Sequence, residues 1–330
     1  MGNELALTVA LQEYDHVRDL ISGAVPTPGL ALNFLTMPVP QMFGRFVAHR
    51  EWEVSELGLG KYAALKAAGD ESLTAIPVFP ARVFRHTAFY VPGDSQVRRL
   101  EDLAGLRVGI PEWAQTAVTY ARGVLMHDAG VPLSAIHWIQ AGVNEPGRRE
   151  KVALHLPEGV VLEPRLDSSL DALLRGGEID AVISAQPPAA FVAGDPSVRR
   201  LFDDPLPLEE AYYRATGIFP IMHVIAIRQD VNDAHPWVAG NLLQAFEEAK
   251  RRSMARVRDS MILRFPLPWV NLRAERATEM FGGDFWPYGL DANRTTLEAF
   301  LQYAFEQGVA GRLISPEDLF TPTTHKPFRI

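Results

Sequence analysis

Along the first third of the chain, short apolar runs alternate with segments whose apolar positions recur at helical spacing. Leu5 to Leu11 predicts a strand, Asp15 to Ser22 a helix, Leu30 to Met37 a strand and Pro40 to Arg50 a helix. Val54 to Leu59 continues as a strand, and Lys61 to Ala68 as a short helix stopped by Gly69. This βαβα rhythm is that of an α/β unit. The run Phe79 to Val91, FPARVFRHTAFYV, has the β-branched and aromatic character of a buried strand, and the turn Pro92-Gly93-Asp94-Ser95 then breaks the chain.

A second α/β unit follows. Arg107 to Ile110 predicts a strand, and from Thr116 the apolar positions keep helical spacing up to Gly130. Ile136 to Ile139 is the next strand, Leu170 to Arg175 a short helix and Ala181 to Ser184 another strand. The chain returns through GIFPIMHVIAIR into a long helix from Pro236 to about Val257, and the C-terminal third is helical. Two α/β lobes, the first completed by the returning chain, predict a clamshell with its ligand between them and crossings near Pro92 and Pro220. Residues 1–93 and 221–330 form lobe 1 in this reading, and residues 94–220 form lobe 2. One large doubly wound sheet is the rival arrangement.

The 330 residues suffice for two lobes, and 47% apolar with 22% charged residues is the balance of a soluble globular protein. A net charge of −8 argues against nucleic acid or an anionic membrane as partner, so basic residues act locally. The absence of cysteine removes disulfides, thiolate catalysis, Fe–S clusters and zinc–cysteine sites. The N-terminus has no cationic start and its apolar run is broken by Thr8, which reads as a cytoplasmic chain. The motifs GxGxxG after a strand, GxxxxGK[ST] and GxSxG are missing, and the nine histidines include no HxH or HxxxH pair. No organic cofactor and no metal are expected.

In an extended FPARVFRH, alternation puts Arg82, Phe84 and His86 on one face and Arg85 on the other. Cations in an apolar strand need a counter-charge: a bound carboxylate gripped by the planar guanidinium fork, or structural carboxylates at a lobe edge. Gln115 and Thr116 stand between a strand and a helix, where N–H groups face outward, although Thr116 also suits a plain N-cap. Glu112 beside them is either a proton donor or, the favoured reading, structural. Arg148 lies in a charged run that is either solvated loop or closes over a ligand. Ser184 follows a strand at the carboxyl end, where open α/β sheets bind ligands. His223, flanked by Ile221, Met222, Val224 and Ile225, is buried and needs a partner, and Ser55 and Glu56 face the expected cleft. Trp286, Pro287 and Tyr288 read as core or cleft wall.

The segments RVGIPEWAQTA and LRGGEIDAVISA resemble the second lobe of type 2 periplasmic-binding-protein folds. Together with FPARVFRH, EPGRREKVALHLPEGV, RATGIFPIMHVIAIR, HPWVAGNLLQAFEEAK and DFWPYGL, they resemble the 4,5-dihydroxyphthalate decarboxylase family from about Leu5 to Leu319. The resemblance implies a cofactor-independent conversion of 4,5-dihydroxyphthalate to protocatechuate and CO2, with an aromatic carboxylate as the small-molecule partner. Catalytic His86 and His223, with substrate held by Arg82, Arg85, Gln115, Thr116, Arg148, Ser184, Ser55 and Glu56, is the resulting expectation. The alternative is a solute-binding protein for an organic anion. A homo-oligomer is also an open expectation.

Overall fold

The structure, a computed structural model, describes residues 4–326. Its first part is β1 (Leu5–Ala10), α1 (Asp15–Ile21), β2 (Leu30–Leu35), α2 (Val39–His49), β3 (Val54–Gly58), α3 (Leu59–Ala67) and β4 (Leu73–Ile76). The middle holds β5 (Phe89–Pro92), β6 (Arg107–Ile110), α4 (Thr116–His127), β7 (His137–Gly142), β8 (Val161–Ser169), α5 (Leu170–Arg175), β9 (Ala181–Ile183), α6 (Ala189–Val192), β10 (Val198–Arg200) and α7 (Leu206–Thr216). The chain then returns as β11 (His223–Arg228), followed by α8 (Gln229–Ala234), α9 (Trp237–Arg258), α10 (Val270–Met280) and α11 (Arg294–Glu306).

The strands form two sheets, so the single doubly wound sheet does not occur. The five-stranded sheet has the order β2-β1-β3-β11-β4, and the six-stranded sheet the order β10-β5-β9-β6-β7-β8. β11 enters the first sheet antiparallel to both β3 and β4, which completes that sheet with a segment distant in sequence. β5 pairs antiparallel with β9 and β10, so the chain has already entered the second sheet before Pro92.

The continuous strand expected over Phe79 to Val91 is not present. Only Phe89–Pro92 is a strand; His86–Ala88 is a turn of 3-10 helix, and Arg82 makes one isolated bridge to Ile221. Pro80 offers no N–H, and this stretch travels between sheets with no neighbour against which to build a ladder. The alternation of Arg82 and His86 on one face therefore lapses. Three strands, β4, β8 and β10, go beyond the sequence reading. β8 is an edge strand with Pro164 and charged residues in it, and it lacks a clean two-residue hydrophobic period.

One apolar core runs through both sheets. It joins Val54 and Leu57 of β3 to Val108 and Ile110 of β6 by way of Leu59, Ala63, Val118, Ala121 and Phe300. The C-terminal helix α11 closes over α4 so tightly that a Cβ on Gly123 would fall 2.4 Å from the Tyr303 ring. Arg122 is fully buried there, 3.7 Å above the Trp113 ring, and donates to Gln307 Oε1 at 2.9 Å and to the Trp113 carbonyl at 2.7 Å. Thus the C-terminal segment fastens the two sheets together.

Candidate active site

The carboxyl ends of the parallel strands β1 and β3 and the amino end of β11 meet at one edge of the first sheet, where His223 pairs with Gly58. Glu56, at the middle of β3, is completely buried. Its Oε1 accepts a hydrogen bond from Tyr14 Oη at 2.6 Å and lies 2.5 Å from His223 Nδ1, while Oε2 accepts the Gln12 N–H at 2.9 Å. Burial by itself would raise the Glu56 carboxyl, but the bonds from His223, Tyr14 and the Gln12 amide outweigh it and hold the group below the usual range. With Nδ1 engaged by Glu56, the Nε2 of the half-buried His223 is the ring nitrogen left to meet a ligand. Phe43 stands edge-on to the imidazole at 5.0 Å and adds an apolar wall.

Arg85 approaches this edge from the segment between the sheets. Its Nε contacts Met222 Sδ at 3.1 Å, one residue before His223, and it forms no ion pair among the described residues. Burial lowers its pKa to about 10. The Glu209 carboxylate of α7 offsets part of that burial without a direct ion pair, which leaves the guanidinium able to accept a further anion.

The second sheet contributes from the carboxyl ends of β6 and β9. Ser184 directly follows β9, its N–H bonded to the Ala88 carbonyl at 2.9 Å and its buried Oγ without a partner. Gln115 precedes α4, and its Oε1 is likewise buried and unpartnered. Unpaired buried polar atoms at a strand-end edge are groups that a polar ligand can satisfy.

The other expected residues have different surroundings. Arg82 is spent inside the protein, donating to the carbonyls of Phe219 at 3.1 Å and Pro287 at 2.8 Å and to Asn293 Oδ1. The Phe79 and Phe219 rings flank it, and burial lowers its pKa to about 10. His86 packs beside Phe202 and Tyr212 with Nδ1 unpartnered, and burial lowers its pKa to about 4, so it is neutral near pH 7. Ser55 donates to the Glu56 carbonyl at 2.9 Å. Thr116 Oγ1 accepts the Gly60 N–H at 3.0 Å and so links α3 to α4. Arg148 Nε donates to Glu112 Oε1 at 2.7 Å.

Sequence reasoning passed over Tyr14 and Gln12, although both lie just beyond the carboxyl end of β1, a position that alone could have marked them. His16, stacked on Tyr14 at 5.2 Å and 5.3 Å from the Trp286 ring, also escaped notice. Among the described residues, no trio of histidine or carboxylate side chains is arranged to hold a metal ion. A groove of about 1290 Å³ beside α9, lined in part by Lys250, Asp284 and Tyr288, contains none of the residues named at the sheet edges. Lys250 there is already paired, 2.9 Å from Asp284 and 2.8 Å from Glu247, while the buried Tyr288 hydroxyl has no partner. The Glu56–His223 pair and the unpartnered Ser184 and Gln115 side chains at strand ends make the sheet edges the candidate site.

No family model matches the chain. Over 329 residues the chain is 35% identical to 4,5-dihydroxyphthalate decarboxylase of Comamonas testosteroni, covering 99% of this chain and all of that one. It belongs to the 4,5-dihydroxyphthalate decarboxylase family. A second family member, from Pseudomonas putida, is 36% identical over 214 residues, covering 64% of this chain and 83% of the relative. Among solved structures, the periplasmic sulfonate-binding protein SsuA of Methylobacillus flagellatus superposes with a TM-score of 0.58 at 12% identity, covering 98% of this chain and 93% of that one. The desulfurization enzyme DSZB superposes with a TM-score of 0.55 at 16% identity over 97% of each chain. At such identities these likenesses establish the fold, a two-lobed periplasmic-binding-protein-like α/β architecture. The family is one of carboxy-lyases, so here that fold serves an enzyme rather than a carrier.

Proposed function

We propose that the chain decarboxylates 4,5-dihydroxyphthalate to protocatechuate and CO2 without a cofactor, in the cleft between the two sheets. The observation that carries this reading is the buried Glu56 carboxylate that holds His223 Nδ1 and leaves Nε2 open. A ring hydroxyl para to a carboxylate pushes electron density onto the carbon bearing it. In this mechanism His223 Nε2–H delivers a proton to that carbon, the carbon–carboxylate bond breaks with its electron pair returning to the ring, and CO2 departs. One proton is taken up overall, and solvent restores it to His223. Glu56 fixes the ring orientation and stabilises the imidazolium, the general role of a carboxylate behind a catalytic histidine.

Arg85 holds the carboxylate that stays, because a firm grip on the departing one would stabilise the ground state and slow the reaction. Ser184 Oγ and Gln115 Oε1 are assigned to the ring hydroxyls. Incubation with 4,5-dihydroxyphthalate, followed by chromatography for protocatechuate, tests the reading; binding without product would make the chain a solute-binding protein instead. Dialysis against a strong chelator is expected to leave the rate unchanged, and a loss restored by one divalent ion would contradict the cofactor-free part. A homo-oligomer belongs to the same proposal. Met261, Leu267 and Trp269 are exposed together between α9 and α10, and sedimentation velocity would show whether copies associate.

A further inference from the structure

One oxygen of the buried Glu56 carboxylate serves two side chains at once. Tyr14 Oη donates to Oε1 at 2.6 Å and His223 Nδ1 lies 2.5 Å from the same atom, whereas Oε2 accepts the Gln12 N–H at 2.9 Å. Burial, then the Glu56 charge and the bond to it, push the Tyr14 phenol upward, so it stays protonated and acts only as a donor. The other charged groups nearby are engaged elsewhere. Arg82 is spent on backbone carbonyls, Lys250 on Asp284 and Glu247, and Asp15 accepts from Ser253 and Arg256 of α9. Tyr288 Oη and His16 Nε2 are buried without partners, and neither donates to Glu56.

Tyr14 is fixed by its own surroundings. Its N–H bonds to the Gln12 carbonyl at 3.0 Å, and Gln12 Nε2 to the Met37 carbonyl at 2.5 Å, which ties the loop after β1 to the segment between β2 and α2. The phenol ring stacks on His16, itself packed against Trp286. Satisfying the buried carboxylate does not require this phenol, because His223 and the Gln12 amide already give each oxygen a partner. What the phenol adds is a second claim on the oxygen that orients the imidazole. Such a donor draws part of the charge of that oxygen and restricts the plane in which the first donor lies. We propose that Tyr14 is a positioning residue of the decarboxylation: by sharing Glu56 Oε1 with His223 it fixes the carboxylate plane and, through it, the direction in which Nε2–H delivers its proton. This rests on the decarboxylase reading for the reaction, whereas the coupling of Tyr14 to His223 through Glu56 stands on geometry.

The test compares the wild-type chain with Tyr14→Phe and with 3-fluorotyrosine installed at position 14, a ring of nearly the same shape and a stronger donor. Tyr14→Phe is expected to lower kcat about tenfold, the weight of one hydrogen bond to a charged group, with KM within about twofold. The proton resonance of His223 Nδ1–H, identified by its loss in His223→Gln, should move downfield in Tyr14→Phe, where Oε1 serves His223 alone. The fluorinated protein should keep the wild-type rate within about twofold and move that resonance upfield. An unmoved resonance in either protein, an unchanged kcat in Tyr14→Phe, or a loss expressed in KM would overturn the assignment. Should Tyr14→Phe fail to fold, the fluorinated protein decides by the same resonance. Failure of the decarboxylase reading shows separately, as a resonance that answers both substitutions in a protein yielding no protocatechuate.

Discussion

The two histidines differ in their surroundings rather than in their chemistry. His223 has a buried carboxylate partner and an open ring nitrogen, whereas His86 sits among Phe202 and Tyr212 with nothing to stabilise a charge. His223→Gln is therefore expected to lower kcat by about 100-fold or more, the usual loss on removing a general acid, with KM little changed. A variant keeping a tenth of the rate in a product assay would remove His223 from the mechanism. For His86 the consequence lies in stability. Its folded pKa of about 4 is below the ordinary histidine value of about 6.5, so between these limits the unfolded chain binds more protons than the folded one. Stability should then rise with pH from about 4 to about 6.5, by up to roughly 3 kcal/mol from this group. Urea unfolding of His86→Gln across that window should show a shallower slope than the wild type.

At the scale of elements, the stretch between β4 and β5 is decisive, because it carries two arginines into different surroundings. Arg82 is locked to carbonyls of the returning chain and of the segment before α11, while Arg85 has no direct ion pair among the described residues and feels only the nearby Glu209 carboxylate of α7. We expect Arg82→Ala to cost about 2–4 kcal/mol of stability by stranding several buried acceptors, and Arg85→Ala to raise KM with little effect on unfolding. Paired denaturation and kinetic measurements on both variants separate the roles; a KM effect confined to Arg82→Ala would reverse them. The contact of α4 with α11 offers a second check. Gly123→Ala places a methyl into the Tyr303 ring and should destabilise by about 1–3 kcal/mol through overpacking, read as a lower thermal midpoint.

For the whole molecule, the shared core matters most. The two sheets are joined by α3, α4 and α11 through continuous apolar packing and by the Gly60–Thr116 and Lys61–Glu112 contacts, while a smaller cluster around Ile139, Leu173 and Val182 belongs to the second sheet alone. Unfolding followed by far-ultraviolet circular dichroism and by tryptophan fluorescence is expected to give coincident transitions. Separate midpoints for the two signals would show that the sheets unfold independently. None of the helices among the described residues is long and apolar enough to cross a membrane.

Local pattern settled much of this protein. The strand and helix rhythm of the first part, the helix from Leu170 to Arg175, the return of the chain into β11 and the long α9 were all legible, because each follows from periodicity, glycine stops and turn residues within a short window. The carboxyl-end placement of Ser184 was legible for the same reason. Tertiary structure alone decided what those residues meet. Glu56 and His223 are 167 positions apart and are joined only because β11 inserts beside β3. Arg82 and Arg85 look alike in sequence, yet one is enclosed by backbone carbonyls from distant segments and the other is not. Charge and hydrogen bonding act over a few ångströms in space, and sequence pattern reports only neighbours along the chain, so the partner of a buried ionisable group is fixed by the packing of elements and not by the element that carries it.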